Sequence, residues 1–319
     1  MIRSAKVILA VIAMILPTSF LEVNAHCNCY DVLTDSTVDL SEIKYKSTDR
    51  YPQTAIHDIV ADFLIDKNEG KQKKVLVLGY DGYREDALEN IFGMEQSAVK
   101  RIAKEGGLFH SYAGANGNQD TSTAPGWLSI LSGKWAYQLG VQDNTGRKDA
   151  GTATFLNDAV SAGYPSTFIA SWAPHFDVTY QEDIMNAEGK AVYQQMDSDA
   201  ETLETLQKAL QDTSDSSYDV IFATLEYSDH AGHSIGYGND VDEYVGASQQ
   251  VDREGYKLLQ AIYERDSYQE EDWLIIITTD HGGSGSDHGG QSSEEVNTWF
   301  AVNKDVMLSL IHISEPTRL

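Results

Sequence analysis

Residues 74–80 read KVLVLGY and are followed at once by Asp81. Two later runs have the same form and also precede an acidic residue: YDVIFATLEY (218–227) before Asp229, and WLIIITT (273–279) before Asp280. Continuous runs of β-branched and aliphatic residues are typical of strands that are buried on both faces of a sheet. The three runs therefore predict the central strands of a mostly parallel sheet.

The rest of the chain alternates between short β-rich runs and longer helical stretches, without an internal repeat. Two further strands are predicted at 166–170 and 298–302. Helices are predicted at 95–104, 124–131, 154–162, 200–211 and 241–264. This alternation predicts an α/β fold in which helices flank a mostly parallel central sheet.

The length of 319 residues, with 41% hydrophobic residues, suits one large domain, which we assign to residues 74–307 after an N-terminal segment, 26–73. Residues 1–25 have the basic start, apolar run and small-residue cleavage site of a secretory signal. An uncleaved membrane anchor is the alternative, but the apolar run before Pro17 is far shorter than the roughly 20 residues that span a bilayer. We expect an extracytoplasmic protein with no membrane span after cleavage.

The last residues, LSLIHISEPTRL at 308–319, follow neither a helix nor a strand pattern. They resemble a translated sequencing-library adapter. That resemblance predicts a domain that is C-terminally truncated near Met307, and a His312 without a role. A disordered native tail is the alternative.

The composition of the chain limits the kinds of molecule that it is expected to bind. The net charge of −26 repels polyanions, so binding of a nucleic-acid polymer is not expected. A small phosphate ester can still bind if local cations offset the negative charge of its site. Cys27 and Cys29 are the only cysteines and lie too close in sequence for an ordinary stapling disulfide, so an incidental pair and a metal site both stay open.

Acidic residues and histidines gather where the predicted strands end, which is where functional groups lie in open α/β sheets. A single Asp at the end of a strand could be the N-cap of the following helix. For several strands that all end in this way, the N-cap explanation would require repeated coincidence. The candidates are Asp81, Asp229, His233, Asp280, His281 and His288. Carboxylate and neutral imidazole suit zinc in a hydrolytic site, so we expect two divalent metal ions, zinc being the expected metal. His230 would point away from them.

Four segments occur in the order seen in the alkaline phosphatase superfamily: VLVLGYDGYREDAL, TSTAPGWLSILSG, SDHAGHSIG, and TTDHGG followed by DHGG. Over about residues 74–302 the chain most resembles the nucleotide pyrophosphatase/phosphodiesterase branch. That resemblance implies that Thr123, two residues before Pro125, is the nucleophile. It also implies that Asn144, which ends the loop 140–144, contacts the phosphoryl group.

The same resemblance implies a division of the metal ligands. One ion falls to Asp229, His233 and His288, and the other to Asp81, Asp280 and His281 with Thr123 bridging. Backbone N–H groups at the start of the helix from residue 124 would also face the phosphoryl oxygens. The implied activity is hydrolysis of a phosphodiester or pyrophosphate bond in a small substrate, through a phosphothreonine intermediate.

The chain departs from the branch after Pro125, where Gly126-Trp127 replaces Asn-His. Trp127 and Trp135 are either core residues or part of a leaving-group pocket. Ser122 is a second hydroxyl beside Thr123, but its spacing from Pro125 does not fit the nucleophile motif.

Other functions fit less well. A phosphomonoesterase stays open, although the segment TSTAPGW lacks the Arg clamp of alkaline phosphatases. A sulfatase would need CxPxR or SxPxR. A phosphoethanolamine transferase or mutase usually carries several membrane spans, and a degenerate binding homologue would be expected to have lost a ligand.

Overall fold

The computed structural model describes residues 43–66 and 70–306. The predicted signal at 1–25, the pair Cys27 and Cys29, and the adapter-like tail at 308–319 lie outside the described residues. The expectations for these segments stay predictions. No helix in the described ranges is long and apolar enough to cross a membrane.

One sheet of eight strands runs through the described part of the chain. The strands are β1 (Tyr45–Pro52), β2 (Gln72–Tyr80), β3 (Gly107–Tyr112), β4 (Ser166–Ala170), β5 (Val192–Gln195), β6 (Val220–Leu225), β7 (Glu271–Thr278) and β8 (Asn297–Val302). Their spatial order is β1-β3-β8-β7-β2-β6-β4-β5. Of these eight described strands, only β8 runs antiparallel to its neighbours, β3 and β7, so the sheet is mostly parallel, as the sequence predicts.

Helices join the strands and cover the sheet. They are α1 (Ala55–Ile65), α2 (Ala98–Glu105), α3 (Thr123–Ser132), α4 (Phe155–Ser161), α5 (Gln181–Met185), α6 (Asp199–Gln211), α7 (Tyr227–Ile235), α8 (Asp242–Tyr263) and α9 (Ser293–Val296). Short 3₁₀ segments and one π-helical turn, His175–Thr179, lie between them. The α/β class with flanking helices is confirmed.

Strand β2 shows why the aliphatic run belongs at the centre. Val75 and Val77 pack into a core with residues of α1, α3 and α4, whereas Leu76 and Leu78 pack into a second core with residues of α2, α6 and α8. All four side chains are fully buried. Successive side chains of a strand point to opposite faces, so a strand with a core on each face must be apolar throughout.

The register of the central strands brings their carboxyl ends together. Tyr80 of β2 pairs with Leu225 of β6, and Gly79 of β2 pairs with Thr278 of β7. The Asp81 amide then donates to the Leu225 carbonyl at 3.0 Å. Residues that follow β2, β6 and β7 therefore leave the sheet at the same edge.

The main difference from the sequence prediction lies after β6. The predicted strand 218–227 is too long, because the strand ends at Leu225 and helix α7 begins at Tyr227. Strands β1, β3 and β5 were not predicted. Two of these, β1 and β5, are the outer strands of the sheet, and their mixed polar sequences lack the aliphatic run of a central strand.

Candidate active site

Helix α3 presents Thr123 at its first position, directly after the extended residue Ser122. The helix approaches the end of β7 closely because Gly126 has no side chain: a Cβ there would lie 2.7 Å from Cβ of Asp280. As a result the Thr123 hydroxyl is buried, and its Oγ1 lies 3.5 Å from Nε2 of His281.

A first cluster joins Asp81, Asp280 and His281, all fully buried. Nε2 of His281 lies 3.4 Å from Oδ1 of Asp81 and 3.4 Å from Oδ2 of Asp280. These three atoms form one of the groups in which possible metal ligands lie within 4.8 Å of one another.

The remaining polar atoms of this cluster have partners. Trp127 donates its indole N–H to Oδ2 of Asp81 at 2.9 Å, and the Gly82 amide donates to Oδ1 of Asp280 at 3.3 Å. Nδ1 of His281 donates to a backbone carbonyl at 2.7 Å. Oδ1 of Asp81 and Oδ2 of Asp280 are buried and have no hydrogen-bond partner within residues 43–66 and 70–306. Each of the three side chains thus has one atom that could bind a shared metal ion, while a hydrogen bond holds its other atom. Metal ligands in proteins are typically supported in this way.

A second cluster surrounds Asp229, which helix α7 places one turn before His233. Nε2 of His233 lies 3.4 Å from Oδ2 of Asp229, and Nε2 of His288 lies 3.8 Å from Oδ1. The ring centroids of His288 and His281 are 4.1 Å apart, so the two clusters adjoin. The Tyr237 hydroxyl donates to Oδ1 of Asp229.

All six predicted ligand candidates therefore lie in these two adjoining clusters. His233 is the outermost, with 42% of its side chain exposed. In the second cluster the ligand atoms that lie within 4.8 Å of one another belong to Asp229, His281 and His288. His281 thus belongs to both groups of possible ligands.

Glu226 is a buried member of the site that the sequence analysis missed. Its carboxylate groups with those of Asp81 and Asp229. The pattern that indicated the other candidates, an acidic residue just after a buried strand, also holds for Glu226. The predicted strand, however, ran to residue 227 and placed Glu226 inside the sheet.

The buried carboxylates repel one another. Burial, with the Asp81 carboxylate adding to it, raises the pKa of Glu226 and of Asp280 well above the usual range. Burial by itself lowers the pKa of His281, but Asp280 and Asp81 outweigh it and raise this pKa to about 10. Burial and the neighbouring His281 lower the pKa of His288 to about 3. Divalent cations would offset this concentration of negative charge, so the donor set fits them.

Asn144 lies at the start of helix α3, where its Oδ1 accepts the Ala124 N–H at 2.9 Å. Because Oδ1 is thereby fixed as the acceptor, Nδ2 is the donor of this side chain. Pro125 has no N–H, and the Gly126 N–H donates to the Ser122 carbonyl. The Ala124 and Gly126 N–H groups are thus used within the protein. The expectation that backbone N–H groups at this helix start face the phosphoryl oxygens stays a prediction.

Trp127 has a role that neither sequence interpretation contained. Its indole is fully buried, as a core residue would be, and it also supports the site through the bond to Asp81. Trp135 lies with its ring centroid 5.5 Å from that of Tyr112.

A cavity of about 620 Å³ adjoins the site beyond β6. Its lining includes Trp172, Asp197, Asp199, Glu226, Tyr227 and His230. Glu226 belongs both to this lining and to the carboxylate cluster, so the cavity borders the metal-ligand candidates. His230 is exposed and forms no part of those clusters.

Residues 75–316 match the family model described as type I phosphodiesterase / nucleotide pyrophosphatase. A putative sulfatase from Bacteroides thetaiotaomicron shares the fold at 12% identity and a TM-score of 0.57, with 73% of this chain and 65% of that chain covered. The phosphonate monoester hydrolase of Agrobacterium radiobacter does so at 16% identity and 0.51, covering 73% and 68%. Murine ectonucleotide pyrophosphatase / phosphodiesterase 5 has 19% identity and a TM-score of 0.49, covering 66% and 58%. The chain thus spans slightly less than two thirds of the sulfatase. No curated protein sequence matches it significantly.

Proposed function

Because the chain belongs to the type I phosphodiesterase / nucleotide pyrophosphatase family, we propose that it hydrolyses phosphodiester or pyrophosphate bonds of small substrates through a phosphothreonine intermediate on Thr123. The observation that carries the proposal is the position of the Thr123 hydroxyl, buried at a helix start and 3.5 Å from Nε2 of His281. A hydroxyl beside activating groups is the arrangement expected of a nucleophile.

The side chains around Thr123 fit two divalent cations, with zinc as the expected metal. We assign Asp81, Asp280 and His281 to one ion, and Asp229, His233 and His288 to the other. Oδ1 of Asp81 and Oδ2 of Asp280 are buried and have no hydrogen-bond partner among the described residues, which supports the assignment of the first ion. When bound, the ions would lower the pKa of the Thr123 hydroxyl and offset the charge on the leaving oxygen.

Thr123 and Asn144 have separate roles in the proposed reaction. Thr123 Oγ1 forms a bond to phosphorus while the leaving oxygen departs on the opposite side, and water then cleaves the phosphothreonine. Nδ2 of Asn144 donates to a phosphoryl oxygen, with its side chain held by the Ala124 N–H. A neutral amide at this point, rather than a cationic clamp, favours a diester or pyrophosphate over the more highly charged monoester.

The experiment is a comparison of aryl phosphodiester, aryl phosphomonoester and aryl sulfate hydrolysis by the same protein with added zinc. We expect the diester to be cleaved fastest, the sulfate not to be cleaved, and chelation to abolish turnover. A faster monoester would favour the phosphomonoesterase alternative. The absence of turnover on every substrate would favour a phosphotransferase or an inactive binding homologue.

Export is a separate proposal, supported by the signal pattern of residues 1–25. It predicts that protein recovered outside the cytoplasm begins at residue 26. N-terminal sequencing of that protein tests it, and a chain that retains residue 1 would contradict cleavage.

A further inference from the structure

The carboxylates of Asp81, Asp229 and Asp280 share one arrangement. A hydrogen-bond donor holds one oxygen of each, and the other oxygen is available to a predicted ion. For Asp280 the donor is a backbone amide. For Asp81 and Asp229 the donors are aromatic side chains, Trp127 and Tyr237. A backbone N–H is lost only on substitution by proline, whereas these two side-chain donors can be removed without changing the backbone.

Trp127 is fixed by its surroundings. Its ring passes so close over Gly79 of β2 that a Cβ there would lie 2.3 Å from Cη2 of the indole, and it packs edge-on against Phe222. An indole N–H can only donate, so the bond to Oδ2 of Asp81 defines how this carboxylate is turned. Oδ1 of Asp81 then faces Nε2 of His281 at 3.4 Å.

Tyr237 is held in a comparable way between two stretches of backbone. A Cβ on Gly232 or on Gly283 would lie 2.3 Å or 2.4 Å from its ring. A tyrosine hydroxyl can donate a hydrogen bond to a carboxylate. The bond from Tyr237 to Oδ1 of Asp229 leaves Oδ2 at 3.4 Å from Nε2 of His233.

We propose that Trp127 and Tyr237 are positioning residues, one for each metal ion, which turn the free oxygens of Asp81 and Asp229 toward those ions. The inference rests on the two-ion site of the proposed function. A carboxylate held by one oxygen binds a cation through the other without losing further rotational freedom. Loss of such a supporting partner typically weakens metal binding by about 10- to 100-fold. Because the two donors serve different carboxylates, each should affect one ion and spare the other.

The variants Trp127→Phe and Tyr237→Phe keep an aromatic ring and remove the donor. Metal-free protein is titrated with Co²⁺, whose visible absorption reports coordination, and with Zn²⁺ in competition with a chromophoric chelator. The matched control is Trp273→Phe, which removes a buried indole N–H from the carboxylate of Glu271 near the start of β7, at the opposite end of the sheet. We expect each test variant to weaken one of two binding steps by about 10- to 100-fold and to alter the Co²⁺ spectrum. The control should match the wild type.

If Trp127→Phe and Tyr237→Phe both bind the two metal ions as tightly as the wild type does, the inference is overturned, but the proposed function is not. A wild-type protein that binds neither cation would overturn both. Weakening of both steps by each variant would show general loosening and also contradict separate positioning. Urea unfolding of the metal-free variants checks that they fold. If only one test variant folds, it still decides the matter, since two wild-type affinities in it refute its role.

Discussion

Replacing Gly79 with Ala is expected to move Trp127 away from Asp81 without changing either residue. The new Cβ would lie 2.3 Å from Cη2 of the indole and within 2.9 Å of two adjacent ring carbons. Carbon atoms in contact are normally about 3.5–4.0 Å apart, so the ring must shift by about 1 Å or more. Since Trp127 is fully buried, that shift strains the core and breaks the 2.9 Å bond to Asp81.

The magnitude follows from these two effects. Overpacking a core costs about 1–3 kcal/mol, and losing a hydrogen bond to a charged group costs about 1.5–3 kcal/mol. Replacing this glycine also lowers the entropy of the unfolded chain, which stabilises the folded protein by about 0.4–1 kcal/mol. We therefore expect Gly79→Ala to lower the free energy of unfolding of the metal-free protein by about 2–5 kcal/mol.

Urea unfolding followed by circular dichroism measures this loss, and a double-mutant cycle with Trp127→Phe assigns its cause. A Phe ring does not extend as far over Gly79, so Gly79→Ala should cost much less in the Trp127→Phe background. An equal cost in both backgrounds would refute the contact between Gly79 and Trp127 as its origin. A loss below about 0.5 kcal/mol in the wild-type background would also rule out a clash between the new Cβ and the indole.

Three further predictions concern the nucleophile, the phosphoryl contact of Asn144 and the buried carboxyl group of Asp252. Thr123→Ser should retain measurable kcat on an aryl phosphodiester because it keeps the attacking oxygen, and Ser122→Ala should change kcat little; an inactive Ser122→Ala with an active Thr123→Ala would shift the nucleophile by one residue. Asn144→Ala should lower kcat by about 100- to 1,000-fold through loss of one phosphoryl donor, with zinc content unchanged, whereas loss of zinc would assign Asn144 a structural role. Burial raises the pKa of Asp252 to about 6, so the folded state holds this proton more tightly than the unfolded state does. Its contribution to stability is therefore complete below the unfolded pKa of about 4 and is lost as the pH rises through about 6, by about 3 kcal/mol at most. Asp252→Asn should flatten this part of the stability profile in urea unfolding, and an unchanged profile would contradict the assignment.

The central part of the fold is predictable from the sequence, because strands buried on both faces need apolar runs such as Val220–Leu225. The outer strands β1 and β5 are less predictable. Their sequences, YKSTDRYP and VYQQ, carry polar residues, and only their parallel neighbours in the sheet turn them into strands.

The candidate site shows the same division. Asp81, Asp229 and Asp280 could be found because each follows a buried strand within a few residues. Glu226 was missed through an error of two residues in the end of β6. The bond from Trp127 to Asp81 joins residues 46 positions apart and depends on the open space above Gly79, so no local pattern in the sequence indicates it.

During turnover we expect Thr123 to carry the phosphoryl group. The test is acid quenching of the zinc-loaded protein during hydrolysis of an aryl phosphodiester, followed by mass spectrometry of its peptides. We expect one phosphoryl group on Thr123, and none in a Thr123→Ala variant that still binds zinc. Phosphorylation of Ser122, or steady turnover with no covalent adduct on any residue, would contradict it.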